Sequence, residues 1–193
     1  MEPRNLFANL IAEVRDTYRN VLDETERWTR IGQTLEAFVS REEVREASRR
    51  WSVPLDGGPY NLLFYEDGQF GFVIHGLLKQ PGVSTPVHDH GSTWTAYGLL
   101  QGNERIVVVN RSLEGNRGYN VISDRMVSPG HVDVVEPNQL HAEYSGETPT
   151  VAVIIRSGRV DNALQTILDL DSGMTKSVYG PKQLAGDIER GRV

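Results

Sequence analysis

Five histidines stand in the 193-residue chain: His75, His88, His90, His131 and His141. His88 and His90 are two apart, and on an extended strand that spacing sends both imidazoles to one face while Asp89 points to the other. The pair makes a two-point metal clip. His141 follows Pro137-Asn138-Gln139-Leu140 and begins a short strand about fifty residues later, a separation that lets a neighbouring strand bring it beside the first two. Three neutral imidazoles suit Fe(II), Zn(II), Ni(II) or Cu(II) and leave coordination positions open for water, substrate or O2. The chain has no cysteine, which excludes disulfides, zinc–thiolate sites, iron–sulfur clusters and a cysteine nucleophile, so any metal must be held by His, Asp or Glu.

Other side chains could serve such a centre, each with a plainer alternative. Arg156 closes the apolar run 151–155 and could hold a substrate carboxylate, or sit at a strand end and pair with a surface acid. Tyr97 could donate to bound oxygen or pack as a core tyrosine. His75, alternating with Phe72, Ile74 and Gly76, could stand behind the ligands as a donor or be a packed, hydrogen-bonded core histidine. His131 follows the Pro129-Gly130 turn and is expected at the surface. Glu143 lies two residues past His141 on the same face, where it could orient a ligand or bind the metal itself.

Strands are needed to position these groups, and the pattern supplies them after a helical start. Leu6, Phe7, Leu10, Ile11, Val14, Tyr18, Val21 and Leu22 recur at spacings of three and four, as do Trp28, Ile31, Leu35, Phe38 and Val39 after the charged break Asp23 to Arg27. Two helices follow. Ser40-Arg41-Glu42-Glu43 has the S-x-x-E form of a capping box, so the spacing predicts a third helix from Arg41 to near Arg50, capped by Ser40. Its Arg45, Arg49 and Arg50 could take an anion, but the interleaved Glu42, Glu43 and Glu46 read as a solvated face. From Pro54 the texture changes at Gly57, Gly58 and Pro59. Short apolar runs over 61–65, 69–78, 86–90, 94–101, 105–111, 119–126, 133–136, 141–144 and 150–156 are punctuated by Gly, Pro and Asn pairs, including Asp67-Gly68 and Gly115-Asn116. Many short strands without crossover helices predict an antiparallel barrel or sandwich. A closing helix is expected over Asn162 to Leu170, followed by a Gly-rich, charged tail.

The framing of the histidines resembles the cupin pattern. Gly82, His88, His90 and Gly102 fit its first motif, and Gly130, Pro137 and His141 fit its second. The resemblance implies a mostly β fold, a cupin-type double-stranded β-helix preceded by α-helices, with His88, His90 and His141 as metal ligands. The glutamate ligand expected in the first motif falls at Thr95, or at Trp94 with a gap one shorter, and the interval from Pro137 to His141 is one shorter than the commonest form. The thiol dioxygenases share both departures. This is the cysteine dioxygenase branch, whose iron is held by three histidines alone, and the segments Thr85 to Trp94 and Gly98 to Asn103 look like theirs. That branch implies Fe(II), with O2 and a small thiol or similar chelating anion as partners; Zn, Ni or Mn are the alternative occupants, and Arg156 and Tyr97, read from their strand positions, stand as the catalytic candidates. The substrate pocket departs from the branch. Tyr60-Asn61-Leu62 lacks the arginine that follows a tyrosine on the first barrel strand, and 151–157 reads VAVIIRS where Ser-x-His-x-Tyr is expected. A non-redox or non-catalytic metal-binding cupin that holds a metabolite is the opposing class, since barrels of this kind host many functions.

Composition bounds the rest. Hydrophobic residues are 38% and charged residues 24%, ordinary for a folded chain, and the length suits a single domain over 1–193, with a helical extension over 1–53, a barrel over 60–157 and a C-terminal helix and tail over 158–193. Twenty Lys and Arg against 26 Asp and Glu give a charge of −6, which repels nucleic acid. No apolar run is long enough to span a bilayer, and the polar start, Met1 to Arg4, lacks the form of a secretory signal, so a cytoplasmic protein is expected.

Overall fold

The computed structural model describes residues 3–51, 59–111 and 119–185, so the Gly57-Gly58 break, the Gly115-Asn116 turn and the last part of the tail lie outside the described residues. Helices α1 (Pro3–Asn20), α2 (Glu24–Val39) and α3 (Glu42–Ser48) lead. α2 starts at Asp23, whose extended backbone lets its carboxylate accept the Glu26 N–H at 2.8 Å and satisfy a free donor of the first turn. The capping box predicted for α3 is not formed. Ser40, the C-cap of α2, is still in the right-handed helical region (φ −75°, ψ −16°), a conformation from which its hydroxyl cannot reach forward as an N-cap does. Arg41 takes the cap position without a side-chain bond to the backbone, and draws the Glu43 carboxylate to itself at 2.7 Å.

Twelve strands follow among the described residues: β1 (Tyr60–Glu66), β2 (Val73–Lys79), β3 (Val87–His88), β4 (Thr95–Gln101), β5 (Glu104–Arg111), β6 (Tyr119–Val127), β7 (Val132–Val135), β8 (His141–Ser145), β9 (Thr150–Arg156), β10 (Leu164–Leu168), β11 (Thr175–Tyr179) and β12 (Gln183–Ala185). They form two six-stranded sheets, ordered β12-β1-β2-β9-β4-β7 and β11-β10-β3-β8-β5-β6. All pairings are antiparallel except β1 with β12. The fold is mostly β, two antiparallel-rich sheets wound as a double-stranded β-helix behind three α-helices.

The first sheet is covered on both faces, which is why β2 and β9 are buried along their whole length. Its outer face meets the helices: Ile74, Leu78, Val151, Val153 and Ile155 share one core with Phe7, Leu10, Val14, Ile31 and Leu35. Trp94 stacks on Trp28, with ring centroids 6.1 Å apart. The inner face lines the barrel, where Leu77, Tyr97, Leu99, Ala152 and Ile154 pack against Ile106 and Val108 of the second sheet. Alternation along β2 and β9 therefore aims His75, Lys79 and Arg156 into the barrel.

The closing helix predicted over 162–170 is replaced by a single 3-10 turn, Val160–Asn162, and strand β10. Sheet pairing overrides local propensity here. β10 lies between β3 and β11, and the Thr166 backbone is taken up by Asp89, its N–H by the carboxylate at 2.8 Å and its C=O by the Asp89 N–H at 3.1 Å. The same carboxylate oxygen accepts the Gly91 N–H at 2.9 Å. Gly91 is left-handed (φ 58°), and a Cβ there would sit 2.2 Å from the Leu164 carbonyl oxygen. Gly91→Ala is expected to cost about 2 kcal/mol or more, read as a lower urea midpoint, because both the backbone strain and the β10 contact oppose it.

Candidate metal centre

β3 and β8 pair at His88↔His141, which sets those two imidazoles side by side. His90 lies beyond the short β3 and is brought in by the turn that follows, while Asp89 points away to β10, as the alternation predicts. Ring centroids are 4.6 Å apart for His88 and His141, 4.7 Å for His90 and His141 and 5.2 Å for His88 and His90. One ring nitrogen from each lies within 4.8 Å of the other two, so the three form a group able to hold a metal ion.

Hydrogen bonds set which nitrogens face inward. His88 Nδ1 lies 3.0 Å from the Pro86 carbonyl and His141 Nδ1 lies 3.0 Å from the Gln139 carbonyl. A carbonyl only accepts, so both Nδ1 atoms carry the proton and both Nε2 atoms offer a lone pair. His90 Nδ1 lies 3.1 Å from Thr95 Oγ1, to which Arg156 Nη1 also donates at 3.0 Å. With two lone pairs that hydroxyl has room to accept from both, and in that tautomer His90 Nε2 is the third inward lone pair. His141 Nε2 is buried with no hydrogen-bond partner, an arrangement that opposes folding unless something accepts its lone pair. A divalent ion fits that requirement, and the outer partners are those that orient imidazole ligands in metal sites.

Among the described residues no carboxylate joins the group. Thr95, where the cupin glutamate is expected, is a hydrogen-bond partner of His90, and Trp94 faces the helices. Glu143 faces the barrel, but Lys79 Nζ donates to its Oε2 at 2.9 Å and its Oε1 stands 4.0 Å from His141 Nε2. Arg156 is buried and makes no ion pair among the described residues; its Nε donates to His75 Nε2 at 3.0 Å. His75 is thus a packed, bonded histidine that holds Arg156. Tyr97 lies on the barrel side and donates to Glu104 Oε2 at 2.5 Å. His131, partly exposed, lies 3.1 Å from Asp133.

Two features escaped the sequence reading. One is the chain His75–Arg156–Thr95–His90. The other is an ionic cluster in which fully buried Lys79 contacts both Glu104 and Glu143, with Ser145 donating to Glu104 at 3.3 Å. The signal was present in period two: Lys79 follows His75 and Leu77 on one face, and Glu104 precedes Ile106 and Val108.

Burial sets the electrostatics. It pushes His88 down to about 4, helped by His141, and pushes His75, His90 and His141 below the ordinary imidazole range. Burial also lowers Arg156, to about 10, with Glu143 opposing it. For Glu143 burial acts upward, but the Lys79 ammonium and the nearby imidazoles outweigh it and hold the carboxyl at about 2. The histidines supply a pH prediction for the metal-free protein. Above 6.5 the folded and unfolded chains both carry neutral imidazoles; below it the unfolded chain binds more protons, so stability falls with pH, and the His88 contribution is lost by about 4. Thermal unfolding of metal-free protein is expected to occur at least about 5 °C lower at pH 4.5 than at pH 7.5.

No protein-family profile matches the sequence, and none of the curated proteins matches it. Among solved structures, it is similar to an uncharacterised double-stranded β-helix protein of Klebsiella pneumoniae subsp. pneumoniae MGH 78578, at 18% identity over 62% of this chain and 86% of that one (TM-score 0.46). It is also similar to the cupin domain of Schizosaccharomyces pombe Cnp3, at 13% identity over 56% and 70% (TM-score 0.43). A third is the DMSP lyase DddQ of Ruegeria pomeroyi DSS-3, at 16% identity over 53% of this chain and 48% of that one (TM-score 0.41). At these identities no activity passes from those proteins to this one. Among the described residues no helix is long and apolar enough to cross a membrane.

Proposed function

We propose that the chain is a mononuclear cupin oxygenase that holds Fe(II) on His88, His90 and His141 and oxidises a small thiol, or another chelating organic anion, with O2. The observation that carries this reading is a largely buried group of three imidazoles, two with their tautomers fixed by carbonyls and none joined by a carboxylate among the described residues. Three neutral ligands would leave a bound ion its full charge, which favours an anionic donor, and Fe(II) held by these histidines would supply redox chemistry toward O2. For a thiol the overall change is R–SH + O2 → R–SO2H: both oxygen atoms end on sulfur, which gives up the four electrons that O2 accepts.

The chain's own residues have separable tasks. Thr95, Pro86 and Gln139 orient the imidazoles. Arg156, a buried cation without a carboxylate partner among the described residues, attracts the anionic substrate toward this end of the barrel. Lys79 holds Glu143 away from the ligand group. Tyr97, bonded to Glu104, walls the cavity beside His141.

The test is metal analysis of protein purified without added metal, followed by O2-electrode assays of the Fe(II) form across a panel of thiols and chelating anions. Turnover is expected to be weak with cysteine and stronger with a differently shaped thiol. Arg156→Ala is expected to raise the substrate concentration needed about tenfold or more, as loss of a charged partner does. No O2 consumption across the panel, with Zn, Ni or Mn as the resident ion, would replace this reading by a non-redox metal-binding cupin.

A further inference from the structure

The barrel is open along one side. β6 ends one sheet and β7 ends the other; they are consecutive strands joined through the turn in which His131 N–H bonds the Ser128 carbonyl, and among the described residues no ladder joins them. β7 pairs with β4 and β6 pairs with β5, so the two strands part beyond their turn. Between them lies a cavity of about 160 Å³. Its inner end is made by His141, Glu143 and Tyr97, its walls by Ile106, Val108 and Val135, and its outer end includes Ser123, Arg125 and Asp133.

One ion pair crosses the gap at the outer end. Arg125 of β6 pairs with Asp133 of β7, and Arg125 also donates to Ser123 at 2.7 Å. Both partners keep contact with solvent, at 36% and 18% side-chain exposure, so breaking the pair has little effect on folding. A weak tie across two unpaired strand edges, at the mouth of a cavity that ends on His141, is suited to opening.

We propose that this cavity is the route to the three-histidine group and the chamber for its ligand, that the ligand is a compact organic anion with an apolar body, and that the Arg125–Asp133 pair is the gate. The proposal rests on that group being a metal centre. The size follows from the volume: with a water's share of roughly 30 Å³, the space takes roughly five non-hydrogen atoms. The polarity follows from the lining. Aliphatic walls take the body, and the inner acid Glu143 is already matched by Lys79. The anionic end is then directed to the imidazole group.

The lack of cysteine allows the test, because an introduced thiol can be labelled uniquely. Ser123→Cys, labelled with a bulky maleimide and then loaded with Co(II), is mixed with propanethiolate while the visible Co(II) bands are followed. The association rate is expected to fall at least tenfold relative to Leu22→Cys carrying the same label, since Leu22 is 88% exposed between α1 and α2. Should the first variant not fold, Ile122→Cys offers a second labelling position on the cavity. Arg125→Ala, unlabelled, is expected to speed association severalfold. Across ethane-, propane- and butanethiolate, affinity is expected to rise about threefold per methylene. A labelled rate within twofold of the control, or a flat series, overturns the proposal while stoichiometric Co(II) uptake keeps the metal centre. Absence of Co(II) uptake overturns both.

Discussion

His141→Ala is expected to lower metal affinity by more than hundredfold while leaving the barrel folded. Loss of a residue that merely orients a ligand already lowers affinity by about 10- to 100-fold, and His141 supplies the inward nitrogen itself. Two imidazoles would remain, one on β3 and one in the following turn, without the strand partner that closes the group. Stability of the metal-free form responds differently. Truncation removes packing on β8 but also removes the buried Nε2 that has no partner, and the two effects oppose each other. Competition with a chromophoric chelator, read beside thermal unfolding of metal-free protein, separates them. A variant that keeps stoichiometric, tight metal would show that His141 is not a ligand.

Lys79→Met is expected to be the most damaging substitution for folding, at about 3–5 kcal/mol near neutral pH, because it leaves two buried carboxylates facing each other without their cation. The pH dependence has a definite sign. In the wild type, Glu143 is held at about 2, so its contribution is intact above its ordinary 4.5 and is lost as the pH falls toward 2. Without Lys79, burial and mutual repulsion push both carboxyls up, and the deficit should shrink as the pH is lowered through 5. Urea unfolding at pH 7.5 and 5 checks this. Adding Glu104→Gln to Lys79→Met should recover part of the loss at pH 7.5 and little at pH 5. A deficit independent of pH would mean that the lysine contributes packing alone.

Most of the architecture was legible because local signals agreed with the final pairing. The strand ranges read from alternation and Gly–Pro punctuation match β1, β4, β5, β6 and β9 to within a residue or two at each end, and the three helices start and stop near their apolar periodicities. The failures are places where a distant partner decides. Ser40 lost its N-capping role because it closes α2 in helical conformation as the C-cap, and 164–168 became a strand because β3 presented an unpaired edge and Asp89 a carboxylate. At the site, spacing indicated the three histidines that come together, since two lie in one tripeptide and the third follows a Pro-marked turn. The chain from His75 to His90 could not be read that way. It joins residues from β2, β9 and β4 with the turn after β3, and only the order of strands in the sheet makes them neighbours.

The bond from Asp89 to Thr166 spans 77 residues and fixes the loop that carries His88 and His90. On the ribosome this means that two of the three histidines are made long before their anchor. His141 is also in place by then, yet the loop has no β10 to lie against until the chain beyond Leu168 has emerged. Any metal held by these imidazoles would therefore be captured only after β10 has docked. A nascent chain stopped short of β10 presents the imidazoles without the frame that holds them together.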